Sequence, residues 1–178
     1  MNATQPALDL TVTAEGDSLK AYLDVRGIPT IGRGNIFMLD GQRVKLGDTI
    51  TPQEDELLFK SACAERDKQV TEAIPNVTDQ NKFNACWMFV YNEGIGRFLN
   101  STLHKEIVAN PNDIDIPNQF MRWVYGEVDG KEVVLDGLVK RRGREIAMWL
   151  NIPLSEVRQK WTLLDDVLKK EELKNLHV

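Results

Sequence analysis

Glu15-Gly16-Asp17-Ser18-Leu19-Lys20-Ala21-Tyr22-Leu23-Asp24-Val25-Arg26-Gly27-Ile28-Pro29-Thr30-Ile31-Gly32-Arg33-Gly34 joins two textures of sequence. Before it, Leu8, Val12 and Glu15 recur at i, i+4 and i+7, and Gly16 supplies a left-handed stop, which predicts a short helix over residues 1–15. Within it, Arg26-Gly27 separates the runs LKAYLD and IPTIG. Beyond it, Asp40-Gly41 separates NIFML from QRVKL. Turn pairs between apolar runs mark hairpins, so a small β lobe is expected over about residues 16–50.

Outward from that lobe the pattern becomes helical. Thr51-Pro52-Gln53-Glu54 combines a Thr N-cap, a proline in the first turn and a glutamate three residues after the cap, predicting a linking helix over about residues 52–74. Further helices are expected over Asp79 to Asn92, Phe98 to Ala109, Asn118 to Tyr125, Leu138 to Asn151 and Leu154 to Leu176. Glu127 to Val134, around Asp129-Gly130, breaks the run as a loop or small hairpin. The expected fold is α+β and mostly α. A β-hairpin lobe and a larger helical lobe (about 1–15 and 75–150) are joined by the long helix with a cleft between them, all in one domain of residues 1–178 that includes a helical extension over 151–178.

Composition agrees with a single globular chain. The 178 residues are 42% apolar and 28% charged, and no repeat or low-complexity tract divides them. Cys63 and Cys86 stand singly, without a CxxC, and read as buried thiols with no disulfide. No run reaches the roughly 18 apolar residues of a membrane span, and Met1 to Glu15 carries no basic residue, so neither membrane insertion nor an export signal is expected. The formal charge of −5 argues against a nucleic-acid partner.

The chemistry is expected where the first helix meets the first hairpin. Glu15 continues the Leu8/Val12 face at the negative end of a helix dipole, and both burial and dipole favour the protonated carboxyl that a general acid needs. Asp24 and Thr30 lie symmetrically about Gly27, so a hairpin centred there would set them opposite each other. A water shared by the Asp24 carboxylate and the Thr30 hydroxyl would be activated and aimed, which is the base half of an inverting glycosidase.

The combination Glu15-Gly16-x-x-Leu19-x-Ala21-Tyr22-x-Asp24, then Thr30-Ile31-Gly32-x-Gly34, resembles the catalytic segment of the phage-type lysozymes, the endolysins of glycoside hydrolase family 24. Val90-Tyr91-Asn92-x-Gly94-x-Gly96-x-Phe98, Ser101-Thr102-Leu103, Phe120-x-x-Trp123 and Gly137-Leu138-Val139-x-Arg141-Arg142 extend the resemblance over about residues 8–150. It implies a lysozyme-like fold and hydrolysis of the β-1,4 bond between N-acetylmuramic acid and N-acetylglucosamine in peptidoglycan. Glu15 would be the acid, Asp24 the base and Thr30 the residue that positions water. Sugar contacts are implied at Gly34, Ile36, Tyr91, Asn92 and Thr102. Tyr91 reads equally as a core aromatic, and Asn92 and Thr102 equally as cap or turn residues. The family commonly has His after Gly34, where this chain has Asn35.

The resemblance further implies a monomer without cofactor or metal, held in the host cytoplasm until a holin opens the membrane, with no direct contact to that holin. Two alternatives remain at this point. A lytic transglycosylase would have no use for a water-holding Asp/Thr pair, and a non-catalytic glycan-binding protein of the same fold would have no use for Glu15. With only His104 and His177, a zinc site short of several histidines is not expected. The basic cluster Lys140, Arg141, Arg142 and Arg144 reads as a solvated helix face, with pairing to Glu15 or attraction to the anionic wall as alternatives.

Overall fold

The computed structural model describes residues 1–15, 18–24 and 27–175, without the side chains of residues 12–15 and 173–175. The chain divides into two units, Asn2–Gln69 and Val70–Val178, the second also taking Met1.

In the first unit, helix α1 (Gln5–Glu15) begins where Thr4 offers its carbonyl to the N–H groups of Ala7 and Leu8. Ala7 and Thr11 are buried one turn apart, and the Thr11 hydroxyl returns its proton to the Ala7 carbonyl at 2.9 Å. Strands β1 (Ser18–Leu23) and β2 (Pro29–Gly32) then form an antiparallel pair with Tyr22 opposite Thr30 and Leu23 opposite Pro29, and with a bulge between Ser18 and Tyr22. The expected placement of Asp24 opposite Thr30 is therefore wrong by two residues. Gly27, at φ +74°, ends the loop instead of centring it, and the hairpin closes at the Asp24–Ile28 pair.

The Asp40-Gly41 turn forms as expected. Gly41 N–H reaches the Met38 carbonyl at 2.9 Å and the Asp40 carboxylate caps the Gln42 N–H, but only the single bridge Phe37 to Arg43 follows, not two regular strands. Residues 48–50 run along the other side of β1 through Ala21 N–H to Asp48 O and Ile50 N–H to Leu19 O. Ala21, Ile31, Val44, Ile50 and Leu58 make this unit's core, with Met38 packed on it. Helix α2 (Pro52–Ala73) supplies Leu58 and carries the expected capping box: Thr51 N–H donates to Glu54 Oε2 at 2.7 Å, and Glu54 N–H to Thr51 Oγ1 at 3.2 Å. At Gly32, φ is +58° and a Cβ would collide with the buried Asp55 carboxylate, so glycine is required for the turn that brings Arg33 to Asp55 at 3.0 Å.

The second unit is helical. Helix α3 (Gln80–Glu93), capped by Asp79, is buried at every position from Phe83 through Tyr91, as a central helix must be. Around it come α4 (Ile95–Leu99), α5 (Thr102–Ala109), α6 (Ile116–Met121), the hairpin β3 (Tyr125–Val128) and β4 (Lys131–Val134), α7 (Asp136–Leu150), α8 (Leu154–Lys160) and α9 (Thr162–Asn175). The Phe89 ring packs against Phe98, Phe120 and Trp123 at 5.8, 5.8 and 5.2 Å between centroids.

Three expected helices change. Phe98 to Ala109 divides because Ser101 restarts the chain as an N-cap, its Oγ accepting the His104 N–H at 3.0 Å. Asn118 to Tyr125 shortens to α6 because Tyr125 enters the hairpin, whose Asp129-Gly130 turn has both φ angles positive. Leu154 to Leu176 breaks at Trp161, which is extended and donates its indole N–H to Asn118 at 3.1 Å; Leu176 itself lies outside the described residues. After that break Leu164 and Val167 are buried, Leu164 resting against Gly143 of α7 so closely that a Cβ at Gly143 would stand 2.7 Å from it.

Both cysteines are free thiols, Cys86 buried and Cys63 partly so. Burial pushes the Cys63 thiol up to about 11 and raises Cys86 further. Among the described residues, no helix is long and apolar enough to cross a membrane.

Candidate active site

Glu15 is the last residue of α1, at the negative end of that helix, and it follows buried Ala7 and Thr11 at the spacing of one turn. Its side chain lies outside the described residues. The linker Gly16-Asp17 also lies outside them, and β1 begins at Ser18.

Asp24 and Thr30, though not a cross-strand pair, are anchored on one residue. The Asp24 carboxylate accepts the Ile28 N–H at 2.8 Å, and the Thr30 hydroxyl donates to the Ile28 carbonyl at 2.9 Å. Asp24 is half-buried and Thr30 is buried. Because Thr30 spends its only proton on Ile28, its oxygen can offer a ligand only lone pairs. Asp24 likewise offers acceptors when ionised.

Downstream, Ile31 and Asn35 exchange both backbone hydrogen bonds, at 2.8 and 2.9 Å, around Gly32 and Gly34. Gly34 (φ +92°), inside that closure, and Ile36, just after it, are half-buried.

In the second unit, Tyr91 is buried and its ring lies 5.4 Å from that of Trp87. Of the two readings left open, neither Asn92 nor Thr102 acts as a side-chain cap. Ser101 performs the capping next to Thr102, which is exposed as the first residue of α5. Asn92 turns its Oδ1 to Arg142 Nη2 at 2.5 Å.

The basic cluster is not a solvated face. Arg142 is fully buried and Lys140, Arg141 and Arg144 are half-buried; Lys140 pairs with Glu171 of α9 at 2.9 Å. Arg142 Nη2 lies 3.1 Å from Oε1 of Glu145, also fully buried, without hydrogen-bond geometry, so this contact is an ion pair only. Burial pushes the Glu145 carboxyl up to about 7, against the pull of Arg142 and Arg141. Arg142 is lowered by the same cause, yet a guanidinium stays protonated. The signal was in the sequence: Val139, Arg142, Ile146 and Trp149 share one stripe of α7, and all four are buried.

Among the described residues, no group of His, Cys, Asp and Glu side chains could hold a metal.

Residues 12–145 match the phage lysozyme family. The chain is 33% identical over 137 residues to an endolysin of Salmonella phage P22, covering 77% of this chain and 90% of that protein. To an endolysin of Acyrthosiphon pisum secondary endosymbiont phage 1 it is 32% identical over 150 residues, covering 84% and 98%. Among solved structures, the endolysin from Escherichia coli O157:H7 phage FAHEc1 superposes with a TM-score of 0.71 at 35% identity, covering 86% of this chain and 97% of that one. A mutant of P22 lysozyme superposes with a TM-score of 0.66 at 29% identity, covering 84% and 99%. The hairpin that anchors Asp24 and Thr30, and the residues from Tyr91 to Arg142, thus lie inside a matched stretch of three-quarters of the chain, and the chain belongs to the phage lysozyme family.

Proposed function

We propose a single-displacement mechanism for the glycan hydrolysis that this chain carries out. Its activity is that of an endolysin, a muramidase-type glycosidase acting on peptidoglycan. Glu15 protonates the β-1,4 glycosidic oxygen as the bond from N-acetylmuramic acid to N-acetylglucosamine breaks. Asp24 takes the proton of a water that attacks the sugar from the opposite face, with about 6.5 to 9.5 Å between the two carboxyls as in inverting enzymes.

The common anchoring of Asp24 and Thr30 on Ile28 is the observation that carries this reading. A water donating one proton to Thr30 Oγ1 and the other to Asp24 keeps its lone pairs for the anomeric carbon. A transglycosylase, whose nucleophile is the sugar's own hydroxyl, would have no use for that pair. Gly34, Ile36, Tyr91, Asn92 and Thr102 contact the sugars in this reading, and neither metal nor cofactor takes part. The enzyme works as a monomer, waits in the host cytoplasm and reaches the wall once a holin opens the membrane, without touching the holin.

Mass analysis of the muramic ends released from purified sacculi tests the reaction class. Hydrated reducing ends are expected, and anhydro ends would replace the hydrolase with a transglycosylase.

A further inference from the structure

Arg142 has no exposed side-chain surface, and taking a guanidinium out of water is costly unless partners compensate. Its partners are unequal. Glu145 Oε1 stands at 3.1 Å without hydrogen-bond geometry, and Glu93 Oε1 at 3.8 Å is still further from one. Neither Nε nor Nη1 meets a hydrogen-bond partner among the described residues. The Phe89 ring lies beneath the guanidinium at 4.7 Å. The short hydrogen bond of this buried cation therefore goes to Asn92, at 2.5 Å from Nη2 to Oδ1.

A guanidinium can only donate, so the amide oxygen of Asn92 must face it. The Nδ2 end is thereby left with two N–H donors and no means of swapping ends. Asn92 is half-buried, so part of that residue is open to a ligand.

We propose that Arg142, backed by Glu145, is a positioning residue that locks the Asn92 amide with its N–H donors toward the glycan, where they select an acceptor-only oxygen such as an acetamido carbonyl. This rests on the reading of Asn92 as a sugar contact. An amide free to rotate would present either end. A fixed one favours N-acetylated sugars over deacetylated ones, whose ammonium group is itself a donor.

A double-mutant cycle on a soluble peptidoglycan fragment tests this. Asn92→Ala is expected to raise KM about tenfold and to leave kcat within about twofold, as the loss of a uniform binding contact does. Arg142→Met is expected to raise KM to a similar extent in the natural background and not further in the Asn92→Ala background. Equal fold-changes in both backgrounds would show a merely structural effect and overturn the proposal. Thermal melting checks that each variant folds. If Arg142→Met does not, Arg142→Lys, which keeps the charge but loses the planar fork, is taken through the same cycle and must show the same disappearance of effect. An unchanged KM in Asn92→Ala also overturns the proposal. The hydrolase reading is judged separately by the inactivity of Glu15→Gln in the same assay.

Discussion

Glu15→Gln is expected to lower the rate of peptidoglycan hydrolysis about a thousandfold, within the roughly 10²- to 10⁴-fold range of positioned acid–base groups, while circular dichroism stays that of the parent. Gln matches Glu in shape and lacks a proton acidic enough to give to a departing sugar. The position also suits an acid physically. α1 ends there, and the partial negative charge of its terminal carbonyls disfavours a carboxylate. Asp24→Asn is the companion variant. Its amide oxygen can still accept the Ile28 N–H, so the turn survives, but the base is gone and a loss of similar order is expected. Turbidity of a sacculus suspension, followed at equal protein concentration, measures both. Retention of more than about a tenth of parental activity in Glu15→Gln would remove residue 15 from the chemistry.

Phe89→Ala is expected to give the largest loss of stability, about 3 to 5 kcal/mol. The ring is fully buried at the meeting of α3, α4 and α6, with Phe98, Phe120 and Trp123 as edge or tilted neighbours. Its removal costs the transfer energy of the ring and leaves a cavity in a rigid aromatic cluster. It also strips the π face from beneath the buried Arg142, a loss that an ordinary core truncation lacks. In a chain of this size each kcal/mol moves Tm by about 2 to 4 °C, so a fall on the order of 10 °C is expected by calorimetry. Ile114, an apolar residue 93% exposed, is the control, and its change to Ala should move stability by less than about 0.5 kcal/mol. Equal effects at the two positions would mean that the aromatic cluster does not carry the helical unit.

Local chemistry made much of this fold readable in advance. The Thr51 to Glu54 capping box starts α2 at Pro52, and the Asp40-Gly41 and Asp129-Gly130 turns fall where positive φ is needed, at Gly41 in the first and at both Asp129 and Gly130 in the second. Features decided by distant partners were not readable. Trp161 ends α8 by bonding Asn118, and α9 seats Leu164 on Gly143; neither partner is near in sequence. The hairpin register failed for a subtler reason. Symmetry about Gly27 looked natural, but a glycine at φ +74° closes the loop from its downstream side, and the Asp24 side chain takes the Ile28 N–H that a strand neighbour would otherwise have used. Asp24 and Thr30 are instead tied to the same residue, each bonding to the backbone of Ile28. Arg142 was misread because its neighbours Lys140, Arg141 and Arg144 drew attention to charge, although its spacing from Val139, Ile146 and Trp149 already placed it on the inward stripe of α7.

The stereochemistry of the freshly cut bond is the most direct test of a water held by Asp24 and Thr30 opposite Glu15. Proton NMR of a soluble glycan, recorded in the first moments of digestion before mutarotation, reads the anomer at the new reducing end. Attack by that water on a β-linked sugar gives the α anomer. Accumulation of the β anomer instead would mean two displacements through a glycosyl-enzyme intermediate and would contradict the role assigned to Asp24.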